Sequence, residues 1–190
     1  MISERVRPRW TAEQMVDIYK GPHDARVLYP GQQLRVETVI DVARRLVTEP
    51  DTVADLACGN GEQALSVGAK KVILGDFAPG YEIQGPIEKT IEQIQRVDLF
   101  ICAETFEHLW DPARVMRQIK TKTKAMVCTV PVTPEEGQNG EHYWSFDREG
   151  FEAMLNEAGW DVVIYEEVDA SPSVVFTSYR CGVWGVVHDG

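Results

Sequence analysis

Between residues 52 and 130 the chain alternates short apolar runs with stretches of helical spacing, and that rhythm constrains the fold more than any other feature. The runs cover residues 52–56, 71–76, 97–102 and 125–130, each the length of a buried strand. Residues 62–67, 86–95 and 112–120 carry helical patterns between them. Strand–helix–strand alternation predicts a parallel sheet with helices on both faces, because a parallel crossover needs about a dozen residues to return. The last third reads differently. Residues 147–158 predict a helix, started by Asp147 and stopped by Gly159. Strands follow at 161–168 and 174–187, joined around Ser171-Pro172-Ser173, and so short a connection makes the pair antiparallel. The predicted fold is a doubly wound α/β sheet, mostly parallel, with an antiparallel last strand.

Ahead of this core, Thr11 can cap a helix running through Lys20 and ended by Gly21-Pro22. A second helix is expected over 32–48, with Leu34, Val36, Val39, Ile40, Ala43 and Leu46 near helical spacing. Residues 1–49 are thus expected as a helical N-terminal cap on a core of 50–190, the whole forming one domain. Trp10, Tyr19, His23, Arg26 and Tyr29 are groups of the kind that cover a pocket, or else the packing residues of a helical appendage. Arg5, Arg7 and Arg9 read as a small, frayed basic tail.

Thirty acidic against nineteen basic side chains give a formal charge of −11, a poor match for phosphate backbones. Nucleic-acid partners are therefore disfavoured. The four cysteines, Cys58, Cys102, Cys128 and Cys181, form no C-x-x-C pair and sit in or beside apolar segments. They read as reduced core thiols, which points to the cytoplasm. The N-terminal residues lack the apolar core of a secretory signal, and no apolar run approaches the ~20 residues that span a bilayer.

The most informative stretch is Asp55-Leu56-Ala57-Cys58-Gly59-Asn60-Gly61, a strand end entering a tight glycine turn before a helix. Asp76 ends the next strand, where a carboxylate can bind ribose hydroxyls. The stretch resembles the D-L-x-C-G-x-G signature of class I S-adenosylmethionine-dependent methyltransferases, a Rossmann-like family. Residues 97–112, with Cys102-Ala103-Glu104-Thr105-Phe106-Glu107-His108-Leu109-Trp110-Asp111-Pro112, resemble the segment after that family's fourth strand. His142-Tyr143-Trp144-Ser145-Phe146 and Phe151 through Trp160 resemble the stretch before its sixth strand. The likeness covers roughly residues 50 to 187 and implies S-adenosyl-L-methionine as cofactor. It implies Asp55 near the methionine amine, and Ala57, Gly59 and Gly61 beneath the cofactor. Asp76 then takes the ribose hydroxyls, Phe77 and Ile87 lie by the adenine, and Ala103 and Glu104 line the pocket wall. A dinucleotide-dependent oxidoreductase stays open, with Ala64 in its third glycine slot.

One departure from the family stands out. Only Phe77-Ala78-Pro79-Gly80 separates Asp76 from the next extended run, at 81–85, which is too short for the usual crossover helix. The third strand is expected to be missing or rudimentary.

For chemistry, His108 and His142 are the candidate general bases, both placed after strand ends; Glu104 and Glu107 are weaker ones. No metal is expected. The expected function is methyl transfer to a small molecule, with oxygen the favoured acceptor. Protein or nucleic-acid methylation and cofactor binding without transfer are the alternatives. Homodimerisation is left open.

Overall fold

The computed structural model describes residues 3–18, 30–132, 141–171 and 179–189. Four parallel strands form its centre: β2 (Thr52–Asp55), β3 (Lys71–Asp76), β5 (Leu99–Ala103) and β6 (Ala125–Pro131). With the two-residue β4 (Ile83–Gln84) and the hairpin strands β8 (Asp161–Asp169) and β9 (Arg180–Val187), they make a seven-stranded sheet in the order β4-β3-β2-β5-β6-β9-β8. β9 runs antiparallel to both β6 and β8, as the short hairpin connection requires. The loop joining β8 to β9 falls largely outside the described residues.

Alternate residues of the central strands feed two cores. Ala54, Phe100, Met126 and Trp184 face one way, against Ile87 of α4 (Ile87–Thr90), Val115 and Met116 of α5 (Pro112–Lys120) and Phe151 of α6 (Arg148–Glu157). Val53, Leu99, Val127 and Val183 face the other way, against α2 (Pro30–Leu46) and Ala64 of α3 (Glu62–Ser66). Both faces are covered, which is why the central strands read as continuous apolar runs. Helix starts follow local chemistry. Asp111 caps α5 by accepting from Arg114 N (3.0 Å), with Pro112 in the first turn, and Asp147 caps α6 by accepting from Gly150 N (2.7 Å).

Three expectations change. The helix expected over 86–95 is only the single turn of α4, continued by a 3-10 turn at Ile91–Gln93. β4 does pair in parallel with β3, through Gly75 and Asp76, although no helix separates them. Two residues of pairing need no covering crossover, so the third strand is rudimentary. The N-terminal segment is more than a helical cap. β1 (Ser3–Arg5) pairs antiparallel with β7 (Trp144–Phe146), and α1 (Ala12–Ile18) follows behind a reciprocal Thr11–Gln14 capping box. α2 then packs its buried Val39, Val42 and Ala43 on the sheet face. Arg5 and Arg7 are accordingly no frayed tail. Arg5 stacks over the Trp110 ring (3.7 Å) and donates to Trp110 O at 3.0 Å, and Arg7 donates to the backbone carbonyl of His142. Tyr19, His23, Arg26 and Tyr29 lie outside the described residues, as does Lys20. No described helix is long and apolar enough to cross a membrane.

Candidate active site

The strand order reverses direction between β2 and β5, and a crevice opens outside the carboxyl ends of parallel strands at such a point. A cavity of about 810 Å³ lies there. Leu56 and Ala57 reach it from the end of β2, Asp76 and Phe77 from β3, Ile87 from α4, and Glu104, Thr105 and His108 from the turn after β5.

The floor is built by the glycine turn. Gly59 (φ +55°) and Gly61 (φ +76°) hold left-handed backbone that other residues adopt only with strain. A Cβ on Gly59 would meet no described atom within 4 Å beyond its chain neighbours, so its bareness leaves open space. A Cβ on Gly61 would come within 2.8 Å of Leu74 Cδ1, so that glycine serves packing instead. Asp76 pins the turn: one carboxylate oxygen accepts from Gly59 N and the other from Ala78 N, both at 2.8 Å. A carboxylate has about four acceptor sites, so Asp76 keeps capacity for ligand hydroxyls while holding the loop. Tyr81 closes the other side by donating its hydroxyl to Gly59 O.

Asp55 is only 3% exposed and accepts from Ala57 N at 3.1 Å. Burial is the main reason its carboxyl is pushed up to about 7; the Ala57 amide opposes that rise and the negative Asp76 adds to it. Glu104 carries a positive φ of 49°, unusual for a side-chain-bearing residue. Its carboxylate accepts from Thr129 Oγ1 (2.8 Å), Tyr179 and Cys181, a network that fixes it at the cavity edge.

The far end of the cavity is walled by the N-terminal segment. Arg9, Trp10 and Met15 meet Trp110, Arg114 and Tyr143 there. Trp10 N donates to Tyr143 Oη at 2.7 Å, and Trp110 stands edge-on to Tyr143 at 5.5 Å between centroids.

Of the expected site residues, Ala57, Asp76, Phe77, Ile87, Glu104 and His108 border the cavity. Asp55 and Ala103 end β2 and β5, Gly59 and Gly61 lie in the turn between β2 and α3, and none of the four is among the residues that line the cavity. His142 is not on the wall. It sits buried (5% exposed) behind His108, the two rings edge-on at 4.7 Å. Thr105, Trp110, Arg114, Met15 and Tyr143 were not expected on the wall. Beside the two imidazoles, Glu107 is 1% exposed, with its Oε1 3.9 Å from His108 Nε2.

No protein-family model matches the chain, and no curated protein sequence matches it either. Solved structures do. The N-methyltransferase NodS from Bradyrhizobium japonicum WM9, solved with S-adenosyl-L-homocysteine, aligns with a TM-score of 0.72 at 11% identity over 93% of this chain and 98% of that one. The 1,6-didemethyltoxoflavin-N1-methyltransferase of Burkholderia thailandensis, also solved with S-adenosylhomocysteine, gives 0.70 at 13% identity over 98% and 95%. The magnesium protoporphyrin IX methyltransferase of Synechocystis PCC 6803 gives 0.65 at 13% identity over 96% and 90%. The chain has the Rossmann-like fold of the class I S-adenosylmethionine-dependent methyltransferases, with a shortened third-strand region.

Proposed function

We propose that the chain transfers a methyl group from S-adenosyl-L-methionine to a small molecule, with oxygen as the acceptor atom. One observation carries this reading. A glycine turn pinned to Asp76 opens onto a cavity of about 810 Å³, in a fold whose solved examples hold S-adenosylhomocysteine. Methyl transfer from a sulfonium is an in-line displacement with a good leaving group, so the protein mainly orients the partners and excludes water. Gly59 gives the cofactor room, Asp76 takes the ribose hydroxyls, and Phe77 and Ile87 flank the adenine. Glu104 completes the wall, Ala103 ends the strand before it, and Asp55 faces the methionine ammonium. His108, backed by His142, serves the acceptor. Nitrogen is the second reading for the acceptor, favoured by the N-methyltransferase activities of two of the similar proteins. Matched hydroxyl and amine acceptors, offered with labelled cofactor, separate the two. Four free cysteines, three of them buried with thiols that burial pushes up, fit a reducing compartment such as the cytoplasm.

The test is calorimetry with S-adenosylhomocysteine, and Asp55 gives it a sign. Its folded value near 7 lies above the usual 3.8, so ionising it costs the fold stability as pH rises between about 4 and 7. The titratable groups that act on it, or feel it, are Asp76, Cys58, Cys102 and Tyr81, all acidic. A ligand ammonium beside it favours the charged form. Affinity should therefore be sub-millimolar at neutral pH, roughly tenfold weaker at pH 6 than at pH 8, and level above that. Asp55→Asn should remove the slope. No binding at all would sink the methyltransferase reading; binding without a slope would move the ammonium away from Asp55.

A further inference from the structure

Glu107, His108 and His142 each aim one donor atom at a common point, and these atoms all lie within 4.8 Å of one another. We propose that these three side chains bind a divalent first-row transition cation at the acceptor end of the cavity. The donor set, two imidazoles and one carboxylate, suits manganese, iron, cobalt or zinc. It leaves coordination positions open, whereas magnesium and calcium prefer oxygen alone.

The orientation of the imidazole supports the assignment. His108 Nδ1 lies 3.2 Å from the backbone carbonyl of Glu141. A carbonyl only accepts, so Nδ1 carries the hydrogen, and in the neutral ring Nε2 is then the atom with the lone pair. Nε2 is the atom that faces Glu107 Oε1, at 3.9 Å. Metal-ligating histidines are held in this way, with the far ring nitrogen donating to a carbonyl or carboxylate. Donor atoms around one such ion stand about 3 Å apart, given bond lengths near 2.1 Å. Closing the pair from 3.9 Å therefore needs only a small side-chain movement.

The backbone supports the same arrangement. His108 N donates to Thr105 O at 3.0 Å, and Tyr143 N donates to Glu107 O at 2.7 Å, tying the turn after β5 to the segment that carries His142. Arg7 holds the His142 carbonyl from the other side. Glu107 is a buried carboxyl, 1% exposed, beside the two imidazoles.

His108 also borders the cavity, so the open positions face the acceptor. The acceptor role rests on the methyltransferase reading; the binding of the ion does not. In that role the cation takes the acceptor hydroxyl oxygen and lowers its pKa, and the hydroxyl proton leaves to solvent. The oxygen electron pair then forms the bond to the methyl carbon. The carbon–sulfur bond breaks, and its electrons stay on sulfur to give S-adenosylhomocysteine.

The experiment uses the full chain stripped with chelator, then titrated with cobalt(II) while visible absorption is recorded. We expect d–d bands that saturate near one equivalent and are displaced by zinc. Glu107→Gln and His108→Asn should each weaken cobalt binding by at least roughly tenfold. S-adenosylhomocysteine calorimetry on every variant reports whether the fold and cofactor cradle are intact. If Glu107→Gln perturbs the fold, His108→Asn at the cavity wall reads the site alone. No saturable bands in the native chain, or bands undiminished in a folded variant, overturns the proposal. Saturable cobalt binding without any S-adenosylhomocysteine binding leaves the cation site standing and removes the methyltransferase reading.

Discussion

Replacing His108 by alanine should lower turnover by ~10²–10⁴-fold, the range for losing a group that assists proton removal from the acceptor. Affinity for S-adenosylhomocysteine should stay at the native value. The side chain is 19% exposed and borders the cavity from the turn after β5, whereas the glycine turn follows β2. Whether it takes the proton itself or holds a cation that makes the proton leave, its loss falls on the chemical step. Single-turnover rates with saturating cofactor are the measurement to make. His142→Ala is the matched variant. His142 stands behind His108, so it acts on the acceptor only through its neighbour or a shared ion. A fall in both variants makes the pair one unit. A fall in the His108 variant alone makes His142 a packing residue. Native turnover in both would remove this turn from the chemistry and strengthen the reading of an amine acceptor, which needs no such help.

Gly59→Val should abolish measurable cofactor binding, a loss of roughly a hundredfold or more, in a protein that still folds. The two effects separate because of where the new atoms go. A Cβ at this position meets no described atom within 4 Å beyond its chain neighbours, so the side chain starts in open space and not in the core. The left-handed backbone at φ +55° costs about 1–2 kcal/mol in stability, which a domain of this size survives with a lowered Tm. That same open space is where a ligand backed by the turn must lie. Gly61→Val is the contrast. Its Cβ would press to 2.8 Å from Leu74, so its main effect should be on folding. Thermal unfolding and calorimetry on both variants distinguish a ligand-facing glycine from a packing one. Native affinity in folded Gly59→Val would move the cofactor off this turn.

What the sequence made visible was whatever a period of two or of 3.6 can carry. The four central strands, α5 from Pro112 to Lys120, the Asp147 cap and the antiparallel hairpin were all readable from local spacing. The cradle was readable because its chemistry is contiguous from Asp55 to Gly61, with Asp76 one strand later. β1 was not. It is three exposed residues, Ser3 to Arg5, with no apolar alternation to mark it. Trp10 was readable as a possible pocket cover, but missing β1 hid its meeting with Trp110 and Tyr143, which come from distant segments. The burial of Glu107 was not legible for a related reason. The 3-10 turn from Phe106 to His108 is too short for periodicity to say which side chain points inward, and the carboxylate does.

The β1–β7 ribbon bears on the order in which the site can be assembled. The cradle is made from residues 52–104, whose contacts join neighbouring strands. The wall at the other end depends on Ser3 meeting Phe146, about three-quarters of the chain's length away. Loop-closure entropy opposes so distant a contact, and β1 brings only three exposed residues to the pairing to repay it. Hydrogen exchange should therefore show β1 opening well below the free energy that unfolds the sheet. One end of the cavity is thus built to last as long as the fold itself, while the other can come undone and re-form many times within that lifetime.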